Sequence, residues 1–315
     1  MPETLLSIEN LRVQFGDFVA VDDISFSLRG GDLLGMIGPN GAGKTTTLRA
    51  AAGLQLTTTG TISIMGDDVF KYPARVAEHL GFAPDTPAVY PNLSVEDILR
   101  FIGYAHGLKK STIEERIDHW LDALWLTERR KHKIDALSRG MRQRLAVARA
   151  LLPDPYVILL DEPAGGLDPA GRVQFRQLLA SLRDQGKALI VSSHILADLA
   201  EYCTHIAIIG HGKLLKFGTV AEVTDEAGGA DLATYRVRLA TPIGDIQTRM
   251  ELFGPRVRNV AIMDGQLRFE SARDPTSAAA LLADMVRAGL PVSSFTQEAA
   301  DLEQAYLRVG LKQVD

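Results

Sequence analysis

A short glycine-rich segment has the residue types and spacing that bind phosphate. It reads Gly38-Pro39-Asn40-Gly41-Ala42-Gly43-Lys44-Thr45 and matches the pattern G-x-x-x-x-G-K-[ST]. Glycines let the backbone curl so that successive amides point at phosphate oxygens. In such a loop the lysine neutralises β- and γ-phosphate charge, and the threonine hydroxyl is a ligand for Mg²⁺. The segment therefore predicts a nucleoside triphosphate site, and an ordinary glycine-rich turn before a helix is the alternative.

Two carboxylates follow an apolar run farther along the chain. Residues 156–160 are continuously apolar, as expected for a strand buried on both faces, and Asp161 and Glu162 come next. Ligands bind at this carboxyl edge of the strands in open α/β sheets. We expect Asp161 to hold Mg²⁺ through water and Glu162 to polarise the attacking water as general base. A surface acidic pair capping a turn before Pro163 is the alternative, which the phosphate loop disfavours.

A histidine stands at the end of another predicted strand. His194 follows residues 189–193, and a strand-end histidine in a nucleotide site can hydrogen-bond the γ-phosphate or hold the water. Taken alone, it is more typical of a satisfied or surface histidine. Its catalytic role therefore depends on the two motifs above.

Alternating strands and helices are needed to bring these residues together. Leu33–Ile37 precedes the phosphate loop, a helical pattern starts at Lys44, and residues 156–160, 188–192 and 206–209 are buried strands. This alternation implies a mainly parallel sheet and an α/β fold. The remaining predicted strands of this part are residues 5–8, 12–15, 24–28 and 61–65, and helical periodicity covers residues 95–152 and 173–183.

The pattern changes after residue 224. Residues 225–232 are acidic and contain glycine, so they predict a linker between a domain at 1–224 and a smaller one at 233–315. The smaller domain follows the order β-α-β-β-α-β, the split βαβ order of ferredoxin-like α+β folds. Its predicted elements are residues 235–239, 243–252, 257–263, 266–270, 277–288, 292–296 and 301–309.

Residues 4–220 resemble the nucleotide-binding domain of the ATP-binding cassette (ABC) family. Six motifs occur in order: the phosphate loop, a switch segment at 81–85, a signature at 137–144, the acidic strand end at 160–163, a loop at 165–169, and His194. The signature together with the acidic strand is highly specific, whereas the phosphate loop alone occurs in many NTPases. The resemblance implies an ATPase with an ABC-type P-loop core, made of a β-subdomain and a helical subdomain.

The resemblance also assigns residues to the nucleotide. Phe15 stands 29 residues before Lys44, where the family stacks an aromatic ring on adenine, and a plain β-core residue is the alternative. In the family two copies pack head-to-tail around two ATP. Ser138 and Gly140 would then reach the γ-phosphate of the opposite copy, and Asp168 would communicate across the interface. The implied ATP-binding set is Phe15, Gly38, Pro39, Asn40, Gly41, Ala42, Gly43, Lys44, Thr45, Thr46, Ser138, Gly140 and Asp168, and the catalytic set is Glu162, His194 and Lys44.

Four positions depart from the commonest family pattern. In the signature, Arg139 replaces the usual second glycine and Met141 the usual glutamine. The pattern Ser-x-Gly-Met-x-Gln-Arg resembles the bacterial drug-, antibiotic- and ion-export branch. Asp85 replaces the glutamine of the switch segment and is expected to ligate Mg²⁺ through water. Ala164 stands where threonine is common, which should matter little. The implied metal ligands are thus Thr45, Asp161 and Asp85.

Composition limits the partners. The 315 residues carry a net charge of −5, which does not favour a protein that coats nucleic acid. The single cysteine excludes a disulfide framework. Because no stretch approaches 18 apolar residues, work at a membrane must go through a partner. The chain is expected to be cytoplasmic and peripheral on the inner face of the membrane.

The sequence favours an ATP-hydrolysing subunit of an ABC exporter that uses ATP and Mg²⁺. Its expected partners are a second ABC subunit, as a homodimer, and polytopic membrane permease subunits that dock on residues around 87–102. A soluble ABC ATPase acting on nucleic acid or ribosomes is the alternative, disfavoured by one phosphate loop, no heptad array and a negative charge. A third interpretation is a non-enzymatic protein with a dead cassette, against which the intact Lys44, Asp161, Glu162 and His194 count.

Overall fold

The computed structural model describes residues 4–87, 90–193, 196–225, 232–241, 246–263, 266–297, 302 and 306. The chain divides into two compact units, Met1–Val220 and Ala221–Asp315. The elements from the first residue described to the unit boundary are β1 (Thr4–Phe15), β2 (Phe18–Arg29), β3 (Leu33–Ile37), α1 (Lys44–Ala51), β4 (Thr59–Ile64), β5 (Asp67–Asp68), α2 (Pro73–His79), β6 (Leu80–Ala83), α3 (Val95–Ala105), α4 (Lys110–Ala123), α5 (Arg139–Leu151), β7 (Val157–Asp161), α6 (Pro169–Asp184), β8 (Ala188–Ser192), α7 (Leu196–Tyr202), β9 (His205–Gly210) and β10 (Lys213–Thr219).

An antiparallel sheet in the order β2-β1-β4-β5 opens the chain. The sequence predicts three short strands before residue 29, but the structure has two long strands. The pairing of β1 with β2 shifts register after Ile8 and again after Leu11, and Asn10 has a positive φ of 47° between them. Such irregularities interrupt the alternation of buried and exposed side chains, so one strand reads as two.

A second sheet, in the order β10-β9-β3-β8-β7-β6, supports the motifs. All its pairings are parallel except that of β10 with β9, as the alternation of strands and helices predicts. Every residue of β3, β7 and β8 is buried, which matches their apolar sequences. The sequence pattern does not predict β6 and β10, since β6 has only four residues and the apolar residues of β10 are interrupted by Lys216 and Gly218.

The only cysteine lies against this sheet. A Cβ atom placed on Gly35 of β3 would come within 3.0 Å of the Cys203 sulfur. Burial raises the pKa of the Cys203 thiol. The thiol is therefore protonated at neutral pH, in a residue that is half-buried.

A helical layer, made of α3, α4 and α5, follows β6. Ser94 caps α3, since its hydroxyl accepts the Asp97 amide and the Asp97 carboxylate accepts the Ser94 amide, both at 3.2 Å. Arg130, in the segment between α4 and α5, donates to Glu96 of α3 at 2.8 Å and to Glu114 of α4 at 2.7 Å. Arg100 donates to the same two glutamates at 3.0 Å and 2.6 Å. These ion pairs join α3, α4 and the segment before the signature.

The second unit has a sheet of its own, and its sequence order is mostly as predicted. After α8 (Val220–Asp225) come β11 (Leu232–Leu239), α9 (Ile246–Glu251), β12 (Arg258–Met263), β13 (Gln266–Ala272), α10 (Pro275–Arg287) and β14 (Val292–Gln297). The strands lie in the order β12-β13-β11-β14 and pair antiparallel throughout. Tyr235, Phe269, Leu281 and Met285 are in its core. Apart from positions 302 and 306, the predicted helix at 301–309 lies outside the described residues.

Within the described ranges, no helix combines the length and the apolar character needed to cross a bilayer.

Candidate functional site

The phosphate loop joins the end of β3 to the start of α1. Gly41 and Gly43 have φ angles of 80° and 106°, in the region that favours glycine. A Cβ atom on Gly38 would lie 2.2 Å from the Ile209 carbonyl oxygen, and one on Gly43 would lie 2.6 Å from that of Ala20. No side chain caps the first turn of α1. The loop therefore requires glycine, and the amides at the start of α1 are available to a phosphate.

Lys44 lies in the loop and is 7% exposed. Its ammonium donates to the carbonyl oxygens of Gly38 at 2.6 Å and Pro39 at 3.2 Å. Burial lowers the pKa of Lys44, and the charges of Glu162 and Asp161 oppose that shift. The Lys44 ammonium can exchange these two carbonyl oxygens for phosphate oxygens, while the two carboxylates beside it need a further cation to offset their charge when a phosphate binds.

A cavity of about 290 Å³ brings most of the predicted residues together. The phosphate loop forms one side, the carboxylates form another, and two aromatic residues of the first sheet complete it. Its lining residues are Phe15, Phe18, Ala20, Asn40, Gly41, Ala42, Gly43, Lys44, Thr45, Thr46, Asp85, Asp161 and Glu162.

Asp161, at the end of β7, is buried in this cavity wall, with 1% of its surface exposed. One carboxylate oxygen accepts the Ser192 hydroxyl at 2.5 Å, while the other is buried without a hydrogen-bond partner. The alternative interpretation, a surface acidic pair, is therefore wrong for Asp161. A buried oxygen without a donor is suited to a metal ion or its water.

Ser192 links the two carboxylate residues. Its hydroxyl donates to Asp161 and also accepts the backbone amide of Glu162 at 2.9 Å. Glu162 has φ = 47°, a conformation uncommon for a non-glycine residue and associated with functional positions. Ser192, which the sequence analysis did not single out, thus fixes the turn that presents Glu162 to the cavity.

The donor set around the cavity fits Mg²⁺. Thr45, Asp85 and Asp161 all line it, and Asp161 has the unsatisfied oxygen. Among the residues the structure describes, no group of three or more His, Cys, Asp or Glu could hold a metal by itself. This agrees with the usual coordination of Mg²⁺, which combines one or two carboxylates with substrate phosphates and water.

The signature residues lie outside this cavity. Ser138 caps α5 by accepting the Met141 amide at 3.2 Å, and Asp168 caps α6 by accepting the Gly171 amide at 2.8 Å. A Cβ atom on Gly140 would lie 2.8 Å from the Gly166 carbonyl oxygen, so the signature packs tightly on the loop before α6. Ser138, Gly140 and Asp168 do not line the cavity of their own chain.

Two residues that the sequence analysis did not assign contribute to the site. Phe18 pairs with Phe15 across the turn between β1 and β2, and both rings line the cavity, 63% and 48% exposed. The alternative that Phe15 is a plain core residue is therefore wrong. Gln143 of α5 is buried and donates to the carbonyl oxygens of Pro84 at 3.1 Å and Asp161 at 3.3 Å.

The remaining predicted residues are placed as follows. Asp85 lines the cavity and forms an ion pair with Arg139, 3.5 Å between the charged atoms. Tyr90 and Phe101 are exposed, while Ile98 is buried in the helical layer. His194 lies outside the described residues.

Known proteins resemble this chain in sequence and in fold. A family model described as ABC transporter matches residues 21–165. The Nod factor export ATP-binding protein I of Ralstonia nicotianae is 33% identical over 307 residues, which cover 97% of this chain and 93% of that protein. The uncharacterized ABC transporter ATP-binding protein YhcH of Bacillus subtilis is 39% identical over 222 residues, 70% of this chain and 72% of that protein. A solved structure of the ATP-binding subunit of an ABC transporter aligns at 29% identity with a TM-score of 0.67, over 70% of this chain and 92% of that chain.

Proposed function

The chain belongs to the ABC transporter family, and from that premise we propose that it powers an exporter by hydrolysing ATP in the cavity between the phosphate loop and the end of β7. It is an ATP-binding and ATP-hydrolysing subunit of an ABC transporter. One observation supports the choice of site above all. The buried Asp161 oxygen that lacks a partner, Glu162 and the Lys44 ammonium converge on the cavity that the loop glycines enclose.

The phosphate loop binds the triphosphate. Amides of the loop residues other than Pro39, which has no N–H, donate to phosphate oxygens, and Lys44 exchanges its contacts with Gly38 and Pro39 for the β- and γ-phosphates. Phe15 stacks on adenine, because its exposed ring borders the same cavity. These contacts hold the γ-phosphate beside Glu162.

A magnesium ion accompanies the nucleotide. Thr45 and Asp161 would hold it, with Asp85 as a third candidate on the same cavity. When bound, Mg²⁺ neutralises charge that develops on the β- and γ-phosphate oxygens.

Glu162 acts as the general base. The hydrogen bond from its backbone amide to the Ser192 hydroxyl fixes the strained turn, so the carboxylate stays at the cavity wall where it accepts a proton from the attacking water. Water attacks the γ-phosphate in line with the departing oxygen. The resemblance to the family assigns His194 to the γ-phosphate or to that water.

A second copy of the chain completes the site. Ser138 is exposed at the start of α5 and does not line its own cavity, so its helix N-terminus is available to the ATP of a partner. We assign Gly140 to the same contact and Asp168 to communication between the copies. The proposed assembly is a homodimer with two ATP at its interface.

Membrane subunits are the further partners. One relative is named for export, which supports the export direction for this chain. The exposed Tyr90 and Phe101 provide apolar surface for a permease helix near the switch segment. We place the subunit on the cytoplasmic face of the membrane, held there by these partners.

The second unit is proposed to be a ferredoxin-like domain that supports or regulates the dimer. Its β-α-β-β-α-β order and the strand order β12-β13-β11-β14 support that class. The proposed boundaries are 1–224 for the nucleotide-binding domain, 225–232 for the linker and 233–315 for the second domain.

The substitution Glu162→Gln tests the base. It keeps the size of the side chain but removes its basicity, so ATP should bind normally while turnover falls at least about 10²-fold. The measurements are phosphate release and binding of a fluorescent ATP analogue.

Glu115→Gln is the matched control, since Glu115 is exposed on α4 and lies outside the cavity lining. It should turn over ATP at the unmodified rate. Near-normal hydrolysis by Glu162→Gln would remove Glu162 from its proposed role.

A further inference from the structure

Two of the departures from the family pattern meet in space. Asp85 follows β6 in the switch segment, and Arg139 is the first residue of α5 in the signature. The Asp85 Oδ1 atom lies 3.5 Å from a guanidinium nitrogen of Arg139, and Asp85 also lines the nucleotide cavity. An acidic residue in one motif thus faces a basic residue in the other, where the family commonly has glutamine and glycine.

The backbones that carry this pair are held in place. The buried Gln143 of α5 donates to the Pro84 carbonyl, one residue before Asp85. A Cβ atom on Gly140 would meet the Gly166 carbonyl at 2.8 Å, so the first turn of α5 has no room to approach that loop. The position of the Arg139 guanidinium therefore depends on side-chain contacts rather than on movement of α5.

Stability is a weak explanation for the pair. The side chains are 79% and 43% exposed, and exposed ion pairs contribute little to folding. The first turn of α5 contains no acidic residue, and its positive dipole end disfavours a cation there. A lone Arg139 would therefore be pushed away from the helix start, and Asp85 opposes that effect.

We propose that Asp85 is a positioning residue that holds the Arg139 guanidinium beside Ser138, where it serves as an added phosphate ligand for the ATP of a second copy. This inference rests on the proposed head-to-tail dimer. Toward the partner's phosphate the acid and the base act as a matched set, and the glutamine–glycine combination is the alternative set.

A double-mutant cycle tests the proposal. Asp85→Gln and Arg139→Gly each remove one partner of the ion pair. The double variant carries the glutamine–glycine combination instead. Each single change should lower kcat for ATP on the order of tenfold, and the double variant should recover to within about threefold of the unmodified chain. Asp85→Glu should retain activity.

Three readouts separate positioning from a structural role. Affinity for a fluorescent ATP analogue, measured on dilute protein, should be unchanged in Arg139→Gly, since Arg139 contacts the partner's nucleotide. The Mg²⁺ concentration for half-maximal turnover should also be unchanged in Arg139→Gly. Thermal unfolding of all variants should match that of the unmodified chain.

The exposed pair Asp67–Arg75, 3.3 Å apart and outside the cavity lining, is the matched control. Asp67→Asn and Arg75→Gln should leave kcat unchanged.

Additive losses in the double variant, or single variants without effect, would overturn the proposal. A raised Mg²⁺ requirement in Asp85→Gln that Arg139→Gly does not relieve would also overturn it, and would make Asp85 a metal ligand only. None of these outcomes bears on the role of Glu162, which its own substitution tests.

Discussion

At the residue scale, two aromatic rings instead of one line the cavity at the proposed nucleobase site. Phe15 and Phe18 are direct cross-strand partners, so their side chains leave the same face of the sheet. The family resemblance assigns only Phe15 to adenine. The spacing Phe-Gly-Asp-Phe around a tight turn is the sequence signal for the second ring. A ring on each side of the turn can contact a base that enters between the sheet and the phosphate loop.

Phe18→Ala tests this contribution. Loss of an aromatic contact to a base costs about 1–3 kcal/mol in nucleic-acid sites, so the KM for ATP should rise at least several-fold with a smaller change in kcat. The measurement is steady-state hydrolysis with ATP.

The exposed Tyr72, outside the cavity lining, provides the control as Tyr72→Ala. Inorganic tripolyphosphate should compete equally well in the Phe18→Ala variant, since it has no base. An unchanged KM for ATP would contradict the assignment of Phe18.

At the element scale, the segment before the signature depends on Arg130. This side chain donates to Glu96 and Glu114, and the three side chains are each less than a third exposed. Its hydrogen bond is the largest cause of the lowered pKa of Glu96. The helical layer thus gains most from this ion cluster when the glutamates are ionised.

Arg130→Ala should lower the free energy of unfolding by about 1–2 kcal/mol at neutral pH. A lowered folded-state pKa contributes stability above the ordinary glutamate pKa, and that stability is lost as pH falls through the lowered value. The difference between variant and unmodified chain should therefore shrink in acid. Denaturant unfolding at several pH values measures it.

Lys131→Ala is the comparison for this prediction, because Lys131 is exposed next to Arg130 in the sequence. It should change the free energy of unfolding by less than about 0.5 kcal/mol. A pH-independent effect of Arg130→Ala would argue that the side chain acts through packing alone.

The sequence predicts those elements whose pattern is strong and local. The phosphate site is predicted from local patterns alone. These are the apolar runs at β3, β7 and β8, the glycine loop and the acidic end of β7. Contacts between distant segments leave no such pattern. The bond of Ser192 to Asp161, and the bonds of Gln143 to Pro84 and Asp161, join residues far apart in sequence, so only the fold reveals them. The sequence does not predict β6 or the full length of β1 for a different reason. The periodicity of β6 is too brief, and that of β1 is interrupted.

At the scale of the whole molecule, the proposed dimer makes hydrolysis depend on two chains. Glu162→Gln should accumulate the ATP-bound dimer, because ATP binds but turnover is slow. Light scattering of this variant with ATP and Mg²⁺ should show a doubled mass.

Lys44→Ala in the same background removes the phosphate contact and should leave the chain monomeric under those conditions. A Glu162→Gln chain that binds ATP yet stays monomeric at every accessible concentration would rule out an ATP-driven homodimer.

The raised thiol pKa of Cys203 has a practical consequence for such work. Because burial disfavours the thiolate, the native chain should resist maleimide and iodoacetamide reagents near neutral pH. A cysteine engineered at an exposed position would then be the sole site of attachment. Spin labels or fluorophores could follow subunit motion during turnover without first deleting the natural sulfur.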